Sequence, residues 1–208
     1  MLLELKDLVQ KYDLDLKTVL HVGAHKAEEH DDYFDSGADK VHWVEGNEEL
    51  ALSISRKLDL NKNQISLAIV SSEDNQPTKF RVTNNGASSS ILKLKEHLVK
   101  HPGIKEIRSE DRKTITIDTL MDESIIGKNE PIDMLNLDIQ GAELLALRGA
   151  KQTLKRVKCI LTEVNELELY EGCVLINELD QFLKEHGFKR VEKAMWQDCG
   201  WGDAFYIR

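Results

Sequence analysis

Apolar and polar positions along the chain change period repeatedly, and each change marks an element. Leu2, Leu5, Leu8 and Val9 recur at helical spacing and predict an amphipathic helix over about 2–12. Thr18-Val19-Leu20-His21-Val22, β-branched and apolar, predicts a strand that stops at Gly23-Ala24. The polar stretch from Lys26 to Ser36 has the character of a helix, with Gly37 placed to end it. A second strand over 40–44 ends at Glu45-Gly46, and Leu50, Leu52, Ile54 and Leu58 mark a helix from about Glu48 to Leu58. A strand is expected over 64–70, a polar turn over 71–76 and a half-exposed alternating strand over 78–82.

Asn84 to Ser90 is a loop by composition, and the charged stretch from Lys93 to Arg112 carries no periodicity that assigns it an element. Residues 84–112 therefore stand as an irregular insert. Order resumes at Thr114 to Ile117, then in the apolar run Ile132 to Leu137, a buried strand that ends at Asp138. A helix is expected between Gly141 and Gly149, a strand from Val157 to Thr162 ending at Glu163, and a helix around Ile176, Leu179, Phe182 and Leu183 stopped by Gly187. Strands at 188–194 and 203–207 close the chain as a hairpin about a Trp201-Gly202 turn. Alternating strands and helices imply a mostly parallel, doubly wound α/β sheet with helices on both faces, because parallel neighbours need crossover connections.

The 208 residues fit one domain over 1–208, with 1–17 as an N-terminal helix and lead-in. A formal net charge of −9 works against a phosphate-dominated contact, so no nucleic-acid partner is expected. Charges at Glu4, Lys6 and Asp7 break any signal-peptide core, and no segment has the apolar length of a membrane span. Cys159, Cys173 and Cys199 suit neither a disulfide framework nor a zinc site, and the expected compartment is the cytoplasm. The histidines at 21, 25 and 30 lie on different elements and give no metal-ligand spacing, so no metal is expected.

In an open parallel sheet the ligand sits beyond the carboxyl ends of the strands, which directs attention to the residues there. Gly23-Ala24 makes a small-residue turn into a helix, and Glu45 follows about 20 residues later, where an acid can accept the hydroxyl protons of a ribose. That pairing suits a nucleoside ligand and leaves a dinucleotide and S-adenosylmethionine both open. Asp138 emerges at the same edge, placed to meet the ligand or orient an acceptor, with helix capping as its alternative role. Glu143 suits a first helical turn, and Glu163 and Asn165 lie on the acceptor side. His25 is a candidate base or ligand contact, while Trp43, Trp196 and Trp201 read as packing residues.

The segments 21–25 (HVGAH), 44–47 (VEGN), 88–90 (SSS), 117–120 (IDTL), 137–143 (LDIQGAE) and 161–165 (LTEVN) together resemble the FkbM family of S-adenosylmethionine-dependent methyltransferases. The resemblance runs from about residue 18 to the end. Its most specific element is 138–143, which is similar to the family's Asp-x-Glu-Gly-Ala-Glu signature with Gln140 in the usual Glu position.

The resemblance implies a Rossmann-like class I methyltransferase fold with a seven-stranded sheet and a terminal antiparallel hairpin. It implies S-adenosylmethionine as cofactor, with Gly23 and Ala24 against its methionine part, Glu45 on its ribose and Ala68-Ile69 near its adenine. His25, Glu28, Gly46, Asn47 and Asp138 complete the cofactor-binding set, and Asp138, His25 and Glu163 are the catalytic candidates. His21 replaces the acid usual at the start of the first motif, and Ala27 replaces its second glycine. A small-molecule or glycan hydroxyl is the implied acceptor, and residues 84–112 are placed to shape its pocket. A non-catalytic binding domain on the same fold, or a nicotinamide-dependent oxidoreductase, are the competing readings.

Overall fold

The computed structural model describes residues 1–126 and 130–208. Its first half runs α1 (Leu5–Tyr12), β1 (Thr18–Val22), α2 (His30–Asp35), β2 (Lys40–Glu45), α3 (Glu48–Lys57) and β3 (Asn63–Leu67). There follow β4 (Ile69–Val70), β5 (Pro77–Thr83), α4 (His97–Lys100), β6 (Glu106–Ile115) and α5 (Ile117–Glu123). The chain then continues through β7 (Ile132–Leu137), α6 (Glu143–Arg148), a 3-10 turn, β8 (Val157–Asn165), α7 (Ile176–Glu185), β9 (Lys189–Met195) and β10 (Trp201–Ile207).

Seven strands form one sheet in the order β3-β2-β1-β7-β8-β10-β9. The first five are mutually parallel, and β10 is antiparallel to both β8 and β9. Because strand side chains alternate between faces, Val19, Val41, Trp43, Met134, Leu161 and Phe205 pack on one side with Leu5, Leu8, Tyr33 and Ile54 of α1, α2 and α3. Leu20, Val44, Leu135, Leu137 and Ile160 pack on the other with α5, α6 and α7, through residues such as Met121, Leu147 and Leu183. The result is the three-layer, doubly wound α/β architecture that the alternating pattern implies, with the seven-stranded sheet and terminal antiparallel pair that the resemblance adds. The chain winds from β1 towards β3 in one direction and from β7 towards β9 in the other, so the order reverses between β1 and β7. That reversal opens a crevice at the carboxyl ends of these two strands.

Several boundaries differ from the sequence expectation for identifiable reasons. Strand 64–70 divides at Ala68, with Asn63–Leu67 in the main sheet and Ile69–Val70 in a second sheet of order β4-β6-β5. The charged segment is not irregular throughout: β6 occupies 106–115 and pairs antiparallel with β5. It shows no apolar alternation because its side chains make ion pairs instead, Lys79 with Asp111 and Glu110 with Arg108 and Arg112. The expected strand 114–117 ends at Ile115, and α5 starts after Thr116, whose hydroxyl accepts from the Thr119 N–H as an N-cap. The closing hairpin turns at Asp198 and Gly200, both at positive φ, and Trp201-Gly202 already belong to β10.

Candidate active site

Two adjoining cavities open where β1, β2, β7 and β8 end. The smaller encloses about 550 Å³ to its mouth, with an apolar wall formed by Ala68, Ile69 and Phe80. The larger encloses about 1230 Å³, and its wall carries Glu28, Glu29, Gln140, Glu163, Tyr170 and Asp203. Gly23, His25, Ala87 and Asp138 line both, so they form the seam between the two.

The turn after β1 is defined by backbone requirements. Gly23 has φ +99°, and a Cβ there would stand 1.8 Å from the Asp138 carbonyl oxygen, so only glycine lets the β1 and β7 loops lie against each other. His25 and Ala27 are also left-handed, at φ 47° and 55°, which is why α2 begins only at His30. Glu45 fixes this turn: one carboxylate oxygen accepts the His25 N–H and the other the Asn47 N–H, both at 2.7 Å. Burial raises the Glu45 carboxyl above its ordinary range, against the pull of those two N–H groups. Gly46 lies under Phe80 and Ile69, where a Cβ would come within 2.7 Å of the isoleucine side chain.

The expected cofactor set is brought together only in part. Gly23, His25, Glu45, Gly46, Ala68, Ile69 and Asp138 line the smaller cavity, whereas Ala24 and Glu28 line the larger. Asn47 lines neither, since its side chain caps α3 by accepting from the Glu49 N–H. The catalytic candidates meet in the larger cavity, where Asp138, His25 and Glu163 all contribute.

On the far side of the seam the loop after β7 holds two left-handed residues, Gln140 and Gly141. Glu143 secures it by accepting the Ile139 and Gly141 N–H groups at 3.0 and 3.1 Å from the first residue of α6. The Gln140 amide donates to Asp138 at 2.6 Å and to Glu163 at 2.8 Å, while its oxygen accepts from the Tyr170 hydroxyl at 2.6 Å. Burial pushes Asp138 up and Glu163 well above the ordinary carboxylate range, and Asp138, Glu143 and Asp203 push Glu163 further. Ser90 ties the 84–90 loop over this site by donating to the Gln140 carbonyl at 2.9 Å. Tyr170, His97 and Asp203 are cavity residues that the sequence reading missed. Tyr170 lies in the unassigned stretch between β8 and α7, and only its isolation as an aromatic among acidic residues marks it.

A profile of the methyltransferase FkbM domain matches residues 21–190. The chain belongs to the FkbM methyltransferase family. The 2-O-methyltransferase NoeI of Sinorhizobium fredii is 34% identical over 85 residues, which are 41% of this chain and 34% of the relative. The match thus spans about a third of that relative's length. The crystal structure of methyltransferase FkbM from Methylobacillus flagellatus KT aligns with a TM-score of 0.58 at 13% identity, over 99% of this chain and 48% of that one. Magnesium protoporphyrin IX methyltransferase of Synechocystis PCC 6803, solved with bound S-adenosylmethionine, gives 0.55 at 10% identity over 98% and 76%. At these identities the two structures speak to the fold.

Within this FkbM domain the departures from the family pattern have local accounts. His21 is buried on the α2 side, its Nδ1 3.0 Å from the Tyr33 hydroxyl, which also accepts from Asn136 at 2.6 Å. Burial lowers His21 to about 4, so a neutral network stands where an acid is usual. His25 instead turns to Glu28 at 2.7 Å and His30 to Asp31, so the three histidines do not converge. Ala27 keeps the left-handed backbone that favours the glycine it replaces.

Proposed function

We propose that this FkbM domain transfers a methyl group from S-adenosylmethionine to a hydroxyl of a small acceptor, a sugar or similar polyol. One observation carries the reading: Asp138 lines both cavities, so a single carboxylate at the seam borders an apolar-walled cleft on one side and a polar acceptor space on the other. The smaller cleft fits the cofactor. Gly23 leaves the backbone bare, Ala68, Ile69 and Phe80 suit a flat base, and Glu45 retains lone pairs for ribose hydroxyls beyond its two backbone bonds. S-adenosylmethionine supplies a methyl group on a sulfonium, ready for displacement.

The residues of the chain supply alignment and a proton acceptor. Asp138 is the base: its carboxyl is raised by burial toward the working pH, which improves its match to an alcohol proton. Gln140 holds Asp138 and Glu163 through its two N–H groups and keeps both carboxyls oriented. His25 lines both cavities, and its Nε2 has no hydrogen-bond partner among the described residues, which keeps it a candidate contact for either ligand. NoeI, a 2-O-methyltransferase, supports oxygen as the accepting atom.

The test is calorimetry with S-adenosylhomocysteine, followed by labelled methyl transfer to a panel of hydroxyl compounds. S-adenosylhomocysteine should bind, and Glu45→Ala should weaken it by about 1.5–3 kcal/mol, the worth of hydrogen bonds to a charged group. No heat with adenosyl ligands together with clear binding of a nicotinamide cofactor would sink the reading.

A further inference from the structure

The larger cavity is lined by Glu28, Glu29, Asp138, Glu163 and Asp203 and, among the described residues, by no lysine or arginine. Most of these carboxylates have a local counterpart. Glu28 is 2.7 Å from His25 Nδ1 and accepts the Lys26 N–H, and Glu29 feels the Met1 amino group. Asp203 accepts the Leu2 and Leu3 N–H groups, and Asp138 accepts from Gln140 while also bordering the cofactor cleft.

Glu163 is the exception. Its one donor is the Gln140 amide, at Oε2, and Oε1 meets no donor among the described residues. It stands directly opposite Asp203 in the β8–β10 register, where like charges repel. Both are buried, and both line only the larger cavity. An independent orphan borders the same space: His97, only 5% exposed, has no partner for Nδ1 among the described residues. Burial and the neighbouring His101 lower it to about 4, so the imidazole is neutral, cannot offset the carboxylates and offers a lone pair.

We propose that the acceptor carries a protonated amine, received by Glu163 and Asp203 with the His97 imidazole as a neutral partner, so that an aminated polyol is taken and an anionic one refused. An ammonium has three donors and a charge; its arrival favours the ionised form of Glu163, whose proton passes to solvent, and it then answers two facing carboxylates and an unpartnered imidazole nitrogen together. A phosphorylated or uronic acceptor would add like charge to a buried acidic wall.

This inference rests on the methyltransferase reading, and the experiment separates the two. The protein is first saturated with S-adenosylhomocysteine, which fills the cofactor cleft, and then titrated calorimetrically with matched small molecules. The probes are the methyl glycosides of glucosamine, glucose and glucuronic acid, with cyclohexylamine beside cyclohexanol as a second pair. Each amine should bind at least about tenfold tighter than its neutral counterpart, the yield of one charge-assisted hydrogen bond, and the uronide should give no heat. In Glu163→Gln the preference should fall below about threefold, and in Asp203→Asn it should shrink in the same direction. Thermal melts check folding; if neither variant folds, the preference of the unaltered protein decides. Equal or weaker binding of the amines, or no amine binding at all, overturns the proposal. Failure to saturate with S-adenosylhomocysteine overturns the underlying reading, and the inference falls with it.

Discussion

The two cavities at the carboxyl edge are built by different means. Beside β1 and β2, the shape comes from backbone: a glycine that no side chain can replace, left-handed residues at 25 and 27, and Glu45 accepting two N–H groups. Beside β7, β8 and β10, it comes from side chains, with Gln140, Glu163, Asp203 and Tyr170 converging from separate segments. Backbone geometry suits a ligand that all members of a family share, whereas convergent side chains can be exchanged without disturbing the sheet. On the proposed function, the cofactor side is therefore general and the acceptor side particular, and Asp138, which lines both cavities, belongs to both.

The sharpest way to break this division is Asp138→Asn. The amide keeps the size and an oxygen for the Gln140 N–H at a side chain open to the cavities, so stability should hold and S-adenosylhomocysteine affinity should change little. Turnover should fall by about a hundredfold or more, the lower range for a positioned base. Steady-state transfer to a screened acceptor, with melts alongside, measures it. Near-normal turnover would make Asp138 a member of the cofactor side alone and move the base to His25 or Glu163.

A second test asks how the acceptor-side loop is held. Burial and the nearby Asp138 push Glu143 up to about 7 in the folded state, against an ordinary value near 4.5. Between those values the folded protein holds a proton that the unfolded chain releases, so stability falls as pH rises through this window and levels off beyond it. Asp138 and Glu163 are shifted in the same direction and add to the fall in any variant that keeps them. Glu143→Gln preserves an acceptor oxygen for the Ile139 and Gly141 N–H groups but cannot ionise. It should therefore lose less stability from pH 4.5 to 7 than the unaltered protein, by at least about 1 kcal/mol in denaturant titrations. Identical slopes would mean that the loop opens to water and Glu143 titrates freely.

The same contrast explains what the sequence made legible. The parallel sheet, the β1 turn, Glu45 and Asp138 are visible because they follow apolar runs directly and carry short-range signals. Strand β6 escaped because its face is charged and paired along the ladder, and α5 because a seven-residue helix with one Thr cap resembles a continuing strand. Tyr170, His97 and Asp203 could not be found by local pattern, since they reach the cavity from elements separated by 73 and 33 residues of chain. Asn47 shows the converse: a motif position whose side chain caps α3 and lines neither cavity, which no local pattern distinguishes from a ligand contact. Asp203 also lies in a strand that is inserted between β8 and β9, an order that no local run of residues reveals.

The smallest expected effect probes the backbone side, at Ala27. Its φ of 55° costs an alanine about 1–2 kcal/mol relative to a right-handed conformation, which glycine would not incur. Two effects oppose that gain. The methyl group is 1% exposed within the α2-side core, and losing it forfeits about 0.8 kcal/mol of burial. Glycine also enlarges the freedom of the unfolded chain, worth about 0.4–1 kcal/mol. Ala27→Gly should thus alter stability by less than about 1 kcal/mol, with either sign permitted by the sum. Because the Ala27 N–H bond to the Ala24 carbonyl, 2.7 Å long, is independent of the side chain, the turn should keep its shape. Affinity for S-adenosylhomocysteine should then stay within about threefold, a change well under one charged hydrogen bond. A gain of tenfold or more would show the Ala27 methyl intruding on the cofactor, and the cofactor side would no longer be the work of backbone alone.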